Sequence, residues 1–170
     1  MSLNQDEIEM INTEFEALPA EKRIEWAWDR FGAGLILSTS FGLQSSVMLD
    51  LVLKISDEIP VVFVDTGYLL TENYQYALTL QERIGFRVKT YSAKMSPSFQ
   101  EATFGKLCEQ GADEMKRYNF LNKKEPMQWA ISELGATAWL SGLRRAQSSD
   151  RGKHLLLKGR MILLKYILFL

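Results

Sequence analysis

Apolar side chains at the start of the chain recur at helical spacing: Ile8, Ile11 and Phe15, then Ile24, Trp26, Trp28 and Phe31, with Pro19 as a breaker between the two sets. The spacing predicts two helices, over 7–18 and 20–31, ahead of the main body. The pattern then shifts to short apolar runs of the length of strands buried in a sheet: Leu35-Ile36-Leu37, 61–64 (Val-Val-Phe-Val), 87–91 and Ala138-Trp139-Leu140. Helical stretches fill the intervals. Residues 44–55 carry Val47, Leu51 and Ile55 on one side, and Thr71 serves as N-cap of a helix to Ile84 that Gly85 stops. Ser96-Pro97 opens a helix running to Gly111, with Pro at its first position. Residues 113–134 are helical with a polar interruption over 119–124, and Gly135 ends them.

Strand and helix alternating in this rhythm predict an α/β fold: an open, mostly parallel sheet with helices on both faces. The expected organisation is a helical segment over 1–32 and an α/β body over 33–170, within one domain. Neither an internal repeat nor a low-complexity stretch interrupts it.

Composition changes this picture only by exclusion. A chain of 170 residues, 46% hydrophobic, suffices for one buried core. Its 20 basic and 21 acidic side chains leave a net charge of -1, so no global field favours a nucleic-acid or membrane partner and any anion site must be local. One cysteine, Cys108, excludes an internal disulfide, a four-cysteine zinc site and a four-thiolate iron–sulfur cluster. With no basic and then apolar leader at the N-terminus, a reducing cytoplasm is the expected compartment.

Open parallel sheets bind ligands beyond the carboxyl ends of their strands, which directs attention to the residues just after each apolar run. After the first come Ser38-Thr39-Ser40-Phe41-Gly42 and then Ser45-Ser46, small residues that let backbone amides converge at a helix start, as an anion requires. The same residues also suit a plain helix cap. After the second, Asp65-Thr66-Gly67-Tyr68 places a carboxylate beside a glycine, suited to a ribose or an adenine edge, or to capping the turn. After the last, Gly142-Leu143-Arg144-Arg145-Ala146-Gln147-Ser148 sets two guanidinium forks at a strand end, suited to a phosphate or to plain solvation on a loop. The interruption from Tyr118 to Met127 offers a segment to reach over the ligand.

In order and spacing these stretches, with Phe104-Gly105-Lys106-Leu107 and Glu109-Gln110-Gly111, resemble the bacterial 3′-phosphoadenylyl-sulfate (PAPS) reductases from about residue 21 to 151. The resemblance implies an adenine-nucleotide alpha-hydrolase-like fold, a modified pyrophosphate loop and a homodimer. It implies that Ser38, Thr39, Ser40 and Gly42 hold the sulfate-bearing end, that Asp65 and Gly67 lie near the adenosine, and that Lys123, Arg144 and Arg145 neutralise phosphates beside Gly142. The implied reaction is attack of a thiolate on the sulfur of PAPS, departure of adenosine 3′,5′-bisphosphate, and release of sulfite by thioredoxin. Relatives that use the non-phosphorylated nucleotide carry paired cysteines for an iron–sulfur cluster around 118–126. Here Tyr118-Asn119 and Asn122-Lys123 stand there, so the resemblance implies the cluster-free type, with no bound cofactor.

The family's catalytic thiol lies in a Glu-Cys-Gly-Leu-His motif, which is absent from these residues. Cys108, inside the helix expected over 96–111, reads as a small apolar core residue, with Lys106 as the neighbour able to activate it. The chain is therefore expected to supply the nucleotide-binding part of a truncated or altered reductase. Residues 154–170 are too short and too charged to span a membrane. Gly159 is expected to turn a hairpin there, and Tyr166-Ile167-Leu168-Phe169-Leu170 to form a buried strand or a partner contact; His154 reads as a turn residue. Two rival functions remain: a binding remnant without catalysis, or an ATP pyrophosphatase or adenylyltransferase, whose Ser-Gly-Gly-x-Asp-Ser loop is not matched by Ser40 to Ser45.

Overall fold

The structure, a computed structural model, describes residues 3–42, 45–142, 157–159 and 166–169. Two helices, α1 (Gln5–Ala17) and α2 (Ala20–Phe31), precede strand β1 (Leu35–Thr39). Then follow α3 (Ser45–Ile55), β2 (Val61–Asp65), α4 (Thr71–Ile84), β3 (Val88–Ser92) and α5 (Pro97–Phe104). After these come α6 (Ala112–Asn119), α7 (Glu125–Glu133), β4 (Ala138–Ser141), β5 (Leu157–Gly159) and β6 (Tyr166–Phe169).

The strands form one sheet in the order β3-β2-β1-β4-β6-β5. All neighbours are parallel except β5, which runs antiparallel to β6. The order reverses direction across β1 and β4, the position where such sheets open a crevice at their carboxyl edge. The sequence therefore read the fold class correctly. Strand β6 is the predicted C-terminal strand, paired on both sides, and β5 supplies the antiparallel partner expected of a hairpin.

Two cores flank the sheet. One face packs Leu35, Leu37, Val61 and Phe63 against Leu49 and Val52 of α3 and Ala77 and Leu80 of α4, and Ile8, Phe15, Ile24 and Ala27 of the first two helices join the same cluster. The other face is smaller: Ile36 and Val62 meet Met127, Ala130 and Ile131 of α7. Alternation along each strand assigns its residues to these faces in turn.

Several expectations are corrected. In α3 the buried positions are Met48, Leu49 and Val52, whereas Val47 is 60% exposed. Nearly every residue from Val47 to Leu53 is apolar, so periodicity could not choose the face that packing chose. Thr71 is the first residue of α4 and not its cap; Leu70 holds the cap position, with no side-chain bond. Helix α5 ends at Phe104, because Gly105 turns at φ 71 and Gln110 Nε2 donates to the Phe104 carbonyl. A short 3-10 turn (Leu107–Glu109) follows, and Cys108 on it is exposed, not buried. Finally, the interruption after α6 is one π-helical turn (Phe120–Lys124) continuous with α6 and α7, not a loop free to fold over a ligand. Strand β3, read as buried, is an edge strand with no fully buried residue.

Candidate functional site

At the carboxyl edge of β1, Ser38 lies level with Val62 of β2 and with Ser141 of β4. Gly142 leaves β4 at this same level, with its Cα hydrogen facing Met48. The end of β2, Asp65, pairs with Ser92 of β3. Ser38, Thr39, Ser40, Gly42, Asp65, Gly67 and Gly142 thus share one rim of one sheet. Arg144 and Arg145, with Gln147, Ser148 and His154, lie outside the described residues.

The loop after β1 is shaped by Phe41. Its backbone adopts φ 50, which a bulky side chain rarely does. Two contacts hold it there. Its N–H donates to Thr39 Oγ1 at 3.1 Å, and its ring, 2% exposed, meets the Phe63 ring edge-on at 5.1 Å. The turn leaves Ser40 and Gly42 exposed and leads into α3, where the Ser45 amide and hydroxyl both donate to the Gly42 carbonyl. Thr39 is therefore occupied with shaping the loop, and Ser40 is the residue whose side chain is open at its tip.

Ser38 is held by a residue the sequence reading placed only in the core. Trp139 Nε1 of β4 donates to Ser38 Oγ at 2.7 Å. Asp65 is held likewise: its Oδ1 accepts from the Gly67 amide at 2.8 Å and from the Tyr74 hydroxyl of α4 at 2.7 Å. Burial, and then the hydrogen bond to Asp65, push the Tyr74 phenol up to about 12. A signal for both supports existed, since a half-buried indole N–H or phenol O–H seeks a polar partner. Gly67 is needed at φ 71 with Pro97 close by: a Cβ there would come within 2.6 Å of Pro97 Cγ.

Lys123 reaches the same side of the molecule through aromatic rings. Its Nζ lies 5.6 Å from the Tyr118 ring centre, and Tyr118 meets Tyr68, next to Gly67, edge-on at 5.5 Å. Burial raises the Tyr68 phenol, with further contributions from Glu101, Tyr118 and Cys108. The π turn carrying Lys123 is fixed from below by a pair that the sequence did not reveal. Asn122, wholly buried, and Gln100, 2% exposed, exchange two amide hydrogen bonds of 2.8 and 2.9 Å. π turns of this kind often occur at functional sites.

Known proteins resemble this chain in sequence and in fold. A family model described as the phosphoadenosine phosphosulfate reductase domain matches residues 34–160. The phosphoadenosine 5′-phosphosulfate reductase of Photobacterium profundum is 50% identical over 141 residues, 83% of this chain and 56% of that protein. The enzyme of the same name from Aliivibrio salmonicida is 46% identical over 155 residues, 89% of this chain and 61% of that protein. The chain thus spans 56% to 61% of the length of these two relatives. Among solved structures, phosphoadenylyl-sulfate reductase from Candida auris, in a phosphate complex, superposes with a TM-score of 0.79 at 24% identity, covering 99% of this chain and 80% of that one. FMN adenylyltransferase from Candida glabrata shares the fold more distantly, with a TM-score of 0.51, 12% identity, and coverage of 95% and 57%. By the match over most of its length, the chain belongs to the phosphoadenosine phosphosulfate reductase domain family.

Proposed function

We propose that this chain binds PAPS and adenosine 3′,5′-bisphosphate along the carboxyl edge of β1, β2 and β4, as the nucleotide-binding part of a thioredoxin-dependent reductase of sulfate assimilation. One observation carries the reading: Ser38, Ser40, Asp65, Gly67 and Gly142, distant in sequence, end adjacent parallel strands at a single rim. Asp65 Oδ2, opposite the oxygen already bonded by Gly67 and Tyr74, is the acceptor for ribose hydroxyls or the adenine amine. The Ser38 to Gly42 turn and the start of α3 receive the sulfate-bearing end, and Lys123, Arg144 and Arg145 neutralise phosphate charge that accumulates as the bisphosphate departs.

In the full reaction a thiolate attacks the sulfur of PAPS, the bond from sulfur to the phosphate oxygen breaks, and the bisphosphate leaves with the electron pair. A thioredoxin thiolate then displaces sulfite from the S-sulfocysteine and is left in a mixed disulfide, which its second thiol resolves. The described positions do not suit Cys108 to the first step. It sits on the 3-10 turn after α5, and its neighbour Lys106 is paired with Glu109 at 3.6 Å, which offsets the charge that would activate a thiolate.

The reading includes work without an iron–sulfur cluster. Where a cluster would need thiolates, Tyr118 meets Tyr68 edge-on and Asn122 is consumed by its bonds to Gln100, so these residues do not fit one. It further includes a homodimer in a reducing cytoplasm. Among the described residues no helix is long and apolar enough to cross a membrane.

The test is calorimetry with adenosine 3′,5′-bisphosphate, together with sulfite and pyrophosphate assays on mixtures with PAPS, reduced thioredoxin or ATP. Binding of the bisphosphate with no conversion of ATP to AMP and pyrophosphate is expected. Pyrophosphate release without bisphosphate binding would replace this reading by that of an ATP-using enzyme.

A further inference from the structure

Ser38 presents an unusual hydrogen-bonding state for a residue at the rim of an apolar wall. Its side chain continues the face of Ile36, beside Val62 and Val64 of β2 and above the α7 core. Trp139 pairs with Ile36 across β1 and β4, and its indole leans along the strand to reach Ser38 Oγ at 2.7 Å. An indole nitrogen only donates, so the serine oxygen must be the acceptor. A hydroxyl carries one hydrogen, and that hydrogen is turned away from the indole N–H by repulsion between the two protons. No described residue accepts it: the bond from Trp139 is the hydrogen bond of the Ser38 side chain.

We propose that Trp139 is a positioning residue, which holds the Ser38 hydroxyl as a donor directed at an acceptor-only oxygen of a sulfate or phosphate group. This deepens the function proposed above and rests on it for the identity of the nucleotide. The consequence is selectivity by polarity. A fully ionised oxyanion offers lone pairs on every side and satisfies the spare hydrogen without rearrangement, whereas an amine or ammonium group would confront donor with donor.

Trp139→Phe keeps the ring and removes the N–H. Affinity for PAPS, measured by calorimetry without a reductant, should fall about tenfold, the value of one hydrogen bond to a charged group. Affinity for adenosine should not change, and Ser38→Ala combined with Trp139→Phe should lose no more than Ser38→Ala alone. A loss shared by adenosine 3′,5′-bisphosphate assigns the gripped oxygen to a phosphate, and a loss confined to PAPS assigns it to the sulfonate; both outcomes sustain the proposal. Equal weakening for adenosine, or fully additive losses in the double variant, would show a merely structural tryptophan and overturn it. A second measurement needs no nucleotide. Inorganic sulfate titrated into the wild-type protein should shift the Trp139 indole N–H resonance, and Ser38→Ala should abolish the shift. If the wild-type protein binds neither nucleotide, the functional reading fails, yet an indole resonance that sulfate leaves unmoved is what overturns the role of Trp139.

Discussion

Ser38 and Asp65 end neighbouring strands at one rim, but they belong to opposite faces of the sheet and are finished with opposite polarity. Asp65 continues the face of Val61 and Phe63 over the larger core, and one of its oxygens is saturated by two donors. What it has left to offer is an acceptor. Ser38 continues the face of Ile36 over the smaller core and already accepts from Trp139, so what it has left to offer is a donor. In both places an aromatic side chain from a neighbouring element spends its single polar hydrogen on the rim residue. The comparison teaches that the chemistry of a rim residue is set less by its type than by which of its hydrogen-bonding positions the scaffold has already filled.

The comparison can be broken most severely through the scaffold between the two residues. Phe41→Ala removes a buried ring that packs on Phe63, and chemical denaturation should show a loss of about 3–4 kcal/mol, with nucleotide binding lost as the loop relaxes. Next is the amide pair under Lys123. Asn122→Leu strands the Gln100 amide in the core and should cost about 2–3 kcal/mol in the same measurement, whereas Asn122→Leu with Gln100→Leu should cost less than the sum of the single changes. On the ligand side, Arg145→Ala should weaken adenosine 3′,5′-bisphosphate binding about tenfold, roughly 1.4 kcal/mol by calorimetry. An unchanged affinity removes Arg145 from the site.

Smaller effects sharpen the contrast. Tyr74→Phe releases Asp65 Oδ1 and should weaken nucleotide binding by about 1 kcal/mol while leaving the sulfate response of Trp139 intact, because the two supports lie on different faces. The smallest expected effect is in alkali. Tyr74 and Tyr91 are both pushed up to about 12, chiefly by burial and then by hydrogen bonds to Asp65 and Glu133. The unfolded chain loses these protons first, near the ordinary phenol value of about 10. Their contribution to stability is therefore complete below that pH and lost as pH rises through the folded-state value. Thermal melts across this window should fall for the wild-type protein and fall less for Tyr74→Phe; parallel curves would show that Tyr74 ionises as freely as an exposed phenol.

Much of the molecule was legible because neighbours in sequence carried the signal. Pro19 and Gly85 punctuate helices where expected, and four apolar runs became strands in the predicted order. That the Ser38 to Gly42 turn, Asp65 and Gly67 share a rim followed from their place after strands. What was misread depended on packing, or on which of two glycines stops a helix. The apolar face of α3 was chosen by packing under β1, not by its own periodicity. The end of α5 was chosen at Gly105 rather than Gly111, which exposed Cys108 instead of burying it.

The sequence by itself determined the alternation of strand and helix, the rim that Ser38, Asp65 and Gly142 share, and the family, since each is written in local spacing and in side-chain type. Tertiary structure alone decided that Trp139 would meet Ser38 across 101 residues, and Gln100 meet Asn122 across 22. A hydrogen bond requires its partner within about 3 Å and in the right direction. Such closeness arises only when parallel strands and helices pack, so it leaves no mark in the linear order of residues.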